Sequence, residues 1–407
     1  MTQRVKDGAA METARAETAT VPGRTEFLPF HRPHIDEEDI RAVGDALRSE
    51  WLTHGPVCRR FEEEFAAAVD AKHAVAVSSC TAAMQISLRA LGVGPGDEVI
   101  TTPFTFCATA HVIEHVGATP VFVDVEPDML QIDPAGVRRA VTARTRAILP
   151  VHFGGHPYDI DATNVGLDGI PTIEDAAHAL GAAVGGTPIG SFGTITCFSF
   201  YATKAITTGE GGMATTNDDA LAERLEILRL HGISRDAWNR YGRGGSWAYD
   251  VSEAGLKANL TDFQAALGLT QLAKEPWMRD RRTRIAARYD DAFSRLNRFV
   301  EIPHVAAGVR PAWHLYPLRL RLEALSVDRD RFIEELEAAN IGASVHFIPL
   351  HLLEHFQRRF GLRLGDFPVA EAAFERIISL PLYPSMSDGD VDDVVSAVRG
   401  IVHGYAR

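Results

Sequence analysis

The feature that most constrains this chain is an alternation. Short apolar runs at 74–77, 98–101, 120–123, 147–152, 172–174, 195–200 and 213–215 are spaced by longer segments, with helical stretches at 82–91 and 134–141. Gly94-Pro95-Gly96-Asp97 punctuates one crossing with turn residues. Strands separated by helices pair in parallel, and a parallel sheet is covered on both faces. The pattern predicts an α/β fold with a mostly parallel sheet. Upstream, Asp36 is an N-cap for a helix with Ile40, Val43 and Leu47 on one face, and a second helix covers 57–69. Downstream, a long helix at 281–296 leads to a strand at 315–322, a helix at 328–339, a strand at 343–346 and terminal helices. The expected organisation is a disordered tail at 1–26, a large α/β domain at 27–275 and a small α+β domain at 276–407.

Composition narrows the function classes. A chain of 407 residues accommodates two domains and needs no disulfide or metal to stabilise its core. A net charge of −13 argues against a broad basic surface, so no nucleic-acid partner is expected, although backbone amides can still hold a local anion. The four cysteines, Cys58, Cys80, Cys107 and Cys197, form no CxxC pair, so no metal cluster or disulfide framework is expected, and a reducing cytoplasm suits them. No run of 18 apolar residues occurs, so no membrane span is expected.

In parallel α/β sheets ligands bind beyond the carboxyl ends of the strands, and three loops leave such ends. Ser78-Ser79-Cys80-Thr81-Ala82-Ala83 places small residues and a helix N-terminus where a phosphate could sit, although an ordinary N-cap turn reads the same way. Glu174-Asp175, with His178 three residues on, offers a carboxylate for a cationic ring nitrogen, or simply a helix cap. Lys204 stands just past a strand end and before Thr207-Thr208-Gly209-Glu210-Gly211-Gly212, where a desolvated amine could form a Schiff base and a solvated lysine is the plain alternative. Phosphate cradle, acid and lysine together make the constellation of a pyridoxal phosphate site. No GxGxxG follows the first strand, which argues against a nicotinamide enzyme.

From His31 to Val402 the chain resembles the sugar-nucleotide aminotransferases of the DegT/StrS group, which have the PLP-dependent transferase type I fold. The resemblance rests on Trp51-Leu52-Thr53 with Gly55-Pro56, Gly96-Asp97-Glu98-Val99-Ile100, Glu174-Asp175-Ala176-Ala177-His178-Ala179-Leu180-Gly181, Phe198-Ser199-Phe200 with Thr203-Lys204, Thr208-Gly209-Glu210-Gly211-Gly212, Lys257-Ala258-Asn259-Leu260-Thr261-Asp262 and Ser379-Leu380-Pro381-Leu382-Tyr383-Pro384. It implies that Lys204 carries pyridoxal 5'-phosphate and shuttles protons, and that Asp175 pairs with the pyridine nitrogen. His178 would reach the phenolic oxygen, Phe106 would stack on the ring, and Thr81, Ala82 and Ser199 would hold the phosphate. Asn259 would serve the cofactor of a neighbouring subunit, which implies a homodimer with shared sites. Gly209-Glu210-Gly211-Gly212 looks like the branches acting on C4 of a sugar or on a cyclitol. The implied reaction moves an amino group from L-glutamate to a nucleotide-linked 4-keto sugar. A keto-cyclitol or C3 acceptor and a non-catalytic PLP-binding regulator are the alternatives.

Two departures stand out. Ala205 replaces the asparagine usual after the lysine, and 161–170 is short for the helix expected there. His152 and His156 lack a third ligand at metal-binding spacing. The segment 235–245, rich in Arg, Trp and Tyr, is a candidate flap over the nucleotide, and His314 and His346 are candidates for the sugar pocket.

Overall fold

A computed structural model describes residues 24–49, 51–160, Thr163, Leu167, 169–233 and 249–407. The segment 235–245 and most of 161–170 lie outside the described residues, as does the tail up to Gly23.

Among the described residues seven strands form the main sheet: β1 His73–Val77, β2 Glu98–Thr101, β3 Thr119–Phe122, β4 Thr145–Ile148, β5 Ile173–Asp175, β6 Ile195–Ser199 and β7 Gly212–Thr216. Two ladders, β3-β2-β4 and β5-β6-β7-β1, are joined by parallel bridges Ile148–Thr172 and Val151–Asp175. β7 alone of the seven runs against the others. Val75, Ala76 and Val77 are all buried, as are Cys197 and Phe198, so neighbouring residues on both faces are covered. That is why these strands read as continuous apolar runs rather than as alternation.

Helices α1 Glu37–Arg48, α2 Pro56–Ala68, α3 Cys80–Ala90, α4 Cys107–His115, α5 Pro134–Ala140 and α6 Asp219–Leu228 accompany the sheet. On one face α3 buries Ala83, Met84, Ile86 and Leu88 among strand residues. On the other, Phe61 and Phe65 of α2 meet Phe198 and Phe200 at ring distances of 5.1–5.4 Å. α2 begins at a glycine, with no local side-chain cap. Its first turn is held instead by Asp262, which accepts from the N–H groups of Gly55 (2.7 Å), Cys58 (3.0 Å) and Val57 (3.2 Å).

Asp262 opens α7, Asp262–Ser294, whose 33 residues run through Pro276. The sequence-based start at 281 is therefore too late. A proline inside the helix masks the continuity, because it removes a donor that buried packing on both sides outweighs. α7 passes from the sheet to a second core, where Ile285, Tyr289 and Phe293 pack with β8 Tyr316–Leu320, β9 Ile377–Leu380, α8 Arg329–Ala338 and α11 Asp388–Tyr405. Between these lie α9 Glu354–Phe360 and α10 Pro368–Arg376. The strand expected at 343–346 is irregular chain with one bridge, Ser344–Ser379.

Two further expectations are corrected. The disordered tail does not extend to 26. Arg24 pairs with Asp390 (2.6 Å) and Asp393 (2.7 Å), and Leu28 bridges Ile341 inside the second core. Asp36 does cap α1, but Ile40 and Leu47 face outward, 56% and 51% exposed. The inward side of α1 carries Ala42, Val43 and Ala46 around one buried acid, Asp39. Asp39 meets Lys274 (3.0 Å) and Gln271 (3.1 Å) of α7. Among the described residues no helix is long and apolar enough to cross a membrane.

Candidate active site

The carboxyl ends of β1, β5 and β6 open into one cavity of about 650 Å³, closed on its other side by His314, Ser344, His346 and Phe347. Each chemically important side chain reaches it by a local backbone rule.

At the end of β1, Ser79 caps α3. Its Oγ accepts from Ala82 N–H (3.0 Å) and its carbonyl from Ala83 N–H (3.0 Å). The amides of Cys80 and Thr81, in the first turn, remain for an anion, reinforced by the helix dipole. β7 presses against this turn. A Cβ on Gly212 would lie 2.4 Å from the carbonyl carbon of Ser79, so only glycine fits there.

At the end of β5, alternation sends neighbouring carboxylates to opposite faces. Glu174 turns into the core, where it accepts from Thr196 Oγ1 (2.7 Å) and Tyr158 Oη (3.1 Å). Asp175 turns into the cavity. Its Oδ2 accepts from Thr109 Oγ1 (2.8 Å) and its Oδ1 from Ala177 N–H (3.1 Å), so the carboxyl group is aimed at a cationic partner.

Beyond β6, Lys204 sits in a tight turn, its N–H bonded to Tyr201 O (2.9 Å), while Arg282 Nη2 holds Ala205 O (2.7 Å). Burial pushes the lysine amine down to about 8, against the opposing pull of Asp175 and Cys80. His178 accepts on Nδ1 from Gly154 N–H (3.3 Å), and its ring lies 4.2 Å from that of His314. Burial, with the Lys204 charge nearby, holds His178 and His314 well below the usual imidazole range and His346 at about 4. All three imidazoles are neutral at neutral pH.

Of the residues singled out from sequence, Lys204, Asp175, His178, Thr81, Phe106 and Ser199 line this cavity, as do His314 and His346. Two are not brought to it. The Ala82 amide is taken by Ser79, and Asn259 bridges Val77 on the outer side of β1, with Lys257 on its Oδ1 and its Nδ2 on Leu260 O. Sequence reasoning missed Thr109 and Phe347. Thr109 sits in the first turn of α4, its hydroxyl 2.9 Å from that of Thr105, and a helical threonine gives no sequence signal of that role. Phe347 has no local signal, since it reaches the cavity from irregular chain far along the sequence, where it packs against Phe153. His152 and His156 are buried beside Tyr158 and Trp313, consistent with structural roles.

Comparison with known proteins agrees with this chemistry. The DegT/DnrJ/EryC1/StrS aminotransferase family model matches residues 33–399. The spore coat polysaccharide biosynthesis protein SpsC of Bacillus subtilis is 51% identical over 387 residues, 94% of this chain and 99% of that one. Spr1654 of Streptococcus pneumoniae, described as a sugar aminotransferase and solved in a PMP form, superposes with a TM-score of 0.86 at 36% identity, covering 92% of this chain and 99% of its own. PseC of Helicobacter pylori, an aminotransferase involved in the biosynthesis of pseudoaminic acid, superposes at 0.84 with 29% identity, over 93% of this chain and all of that one. The free amides at α3, the aimed carboxylate and the desolvated amine fit pyridoxal 5'-phosphate, the cofactor of these enzymes. With likeness running along nearly its whole length, this chain belongs to the DegT/DnrJ/EryC1/StrS family, as a PLP-dependent sugar aminotransferase.

Proposed function

We propose that this enzyme moves an amino group from L-glutamate to C4 of a nucleotide-linked 4-keto sugar. The observation that carries this reading is Glu210 of Gly209-Glu210-Gly211-Gly212, which lines the same cavity as Lys204. A carboxylate there suits hydroxyl groups of a sugar ring. Relatives named for spore coat polysaccharide and for pseudoaminic acid synthesis support an amino-sugar product.

When bound, pyridoxal phosphate supplies an electron sink and a carbonyl that can carry the amino group between two substrates. The chain does the rest. Cys80 and Thr81 amides, with Ser199, hold the phosphate. Asp175, aimed by Thr109 and Ala177, keeps the ring nitrogen protonated. Lys204 is the proton carrier. Its amine, with a pKa of about 8, both accepts and releases a proton near neutral pH, and the neutral imidazoles around it do not compete for that proton. Phe106, 60% exposed, is free to cover the ring face.

Asn259 lies outside its own chain's cavity, and Ile40, Leu47, Trp51 and Leu52 leave apolar side chains exposed. Both support a homodimer in which Asn259 serves the partner's site.

The test is a panel of UDP- and dTDP-linked 4-keto sugars, 3-keto sugars and free keto-cyclitols, offered with L-glutamate. 2-Oxoglutarate formation and the acceptor's mass change are read together. Turnover confined to 4-keto sugar nucleotides is expected, and Lys204→Ala should lower it by at least roughly four orders of magnitude. Turnover only of cyclitols or 3-keto sugars would overturn the C4 reading.

A further inference from the structure

Helices from distant parts of the chain bring three metal-binding side chains together away from the cofactor cavity. His111 and Glu114, three positions apart, share one face of α4. α9 supplies His355, which is 241 residues from Glu114. One ligand atom from each of the three lies within 4.8 Å of the other two. His355 Nε2 is 2.9 and 3.1 Å from the two carboxylate oxygens of Glu114. The His111 ring is steadied by Phe356, stacked at 5.5 Å with 10° between the planes. His111 and Glu114 are half-buried and His355 is exposed, so an ion has both a floor and an entrance.

We propose that His111, Glu114 and His355 form a binding site for one divalent transition-metal ion of the zinc type. Two imidazoles and one carboxylate suit that class, whereas magnesium and calcium demand oxygen-rich sets. Tetrahedral coordination places donor atoms about 3.3 Å apart. The His355–Glu114 pair is already within a few tenths of an ångström of that spacing. His111 closes the remainder by rotating its side chain, and the fourth position is left to water. On binding, the Nε2 proton of His355 leaves the Glu114 contact, either by moving to Nδ1 or to solvent. A His355–Glu114 hydrogen bond alone would explain two of the three residues, but not the convergence of His111 upon them.

Arginine and imidazole side chains also lie close to the site. Arg359 Nε is 3.9 Å from Glu114 Oε2 and is exposed, so it can swing aside. The His115 ring is 6.3 Å from that of His111. Protons compete with the ion for the imidazoles, so affinity falls on acidification. Occupancy would tie α9 to α4, whose first turn carries Thr109 on Asp175. The chain just ahead of each helix is already joined, since Leu350 N–H donates to Pro103 O (2.8 Å). The site thus braces the wall of the cavity whatever sugar the enzyme accepts.

Chelator-treated holoenzyme, titrated with Zn2+ by calorimetry and with Co2+ by its d–d absorption, tests this. Wild type should take one ion per chain and melt at a higher temperature with it. His111→Ala and His355→Ala should each weaken binding by roughly tenfold or more and lose the melting shift. Their cofactor absorption should stay that of the wild type, which shows that they fold. Equal affinity in wild type and both variants, or no binding by wild type at ion concentrations of tens of micromolar, would overturn the assignment.

Discussion

Lys204 shows how one residue's environment sets chemistry that its type alone does not. A lysine in water is protonated at neutral pH, and the neutral amine is the form that attacks a carbonyl. Burial lowers this amine from 10.5 to about 8. The sign follows directly. The neutral form is scarce below pH 8 and dominant above it, so apoenzyme should capture added pyridoxal phosphate faster as pH rises, with a midpoint near 8. Stopped-flow visible absorption measures that rate, and a midpoint near 10.5 would mean that the lysine is solvated. By linkage, the folded apoprotein sheds this proton before the unfolded chain does, so this group favours folding increasingly as pH climbs from about 8 towards 10.5. The lysine and the acid were legible in sequence because each follows a strand end. Thr109, which aims the acid, was not read, because a threonine inside a helix carries no mark of what its hydroxyl meets.

At the scale of elements, local signals served where the determinant was local. Asp36 caps α1 and Asp133 caps α5 from within two or three residues, and the strand runs fell within a few residues of their expected places. They placed α2 to within a residue but gave no sign of the distant group that caps it. α2 starts at a glycine because Asp262 caps it from more than 200 residues away. Asp262→Ala should therefore lower stability by about 3 kcal/mol, the order expected when several amides in a first turn lose a buried charged acceptor. Chemical denaturation of the holoenzyme checks this, and a loss comparable to that of an exposed acid on α1, such as Glu38→Ala, would refute the capping role. The apolar stripe of α1 misled for a related reason. Periodicity reports that a helix has two faces, but not which one a neighbour covers, and here the covered face is that of Asp39, which meets Lys274 of α7, and Ala46.

For the whole molecule, the two cores and the passage of α7 between them lead us to propose a large unit up to about 275 and a small one beyond it, with Leu28 joining the small core. If Asn259 serves the partner's site, inactive Lys204→Ala and Asn259→Ala proteins should complement one another. Random reassortment after mild dissociation would leave roughly a quarter of sites intact, each with its own Lys204 and the partner's Asn259. Mixing the two variants and measuring 2-oxoglutarate release is the check, and a mixture no more active than its components would exclude the shared site.

What the sequence alone determined is what short stretches of chain settle among themselves. These are the alternation that makes a parallel sheet, the caps, the glycine-rich turns, and the placing of Lys204 and Asp175 at strand ends, where the topology of such sheets sends ligands. The tertiary structure alone decided everything that depends on groups meeting through space. It turned Asp175 rather than Glu174 into the cavity, kept Asn259 out of its own site, and gathered His111, Glu114 and His355. The reason is physical. Propensity and periodicity act over a few residues, whereas desolvation, charge and hydrogen-bond satisfaction act over a few ångströms, however far apart in the chain the partners lie.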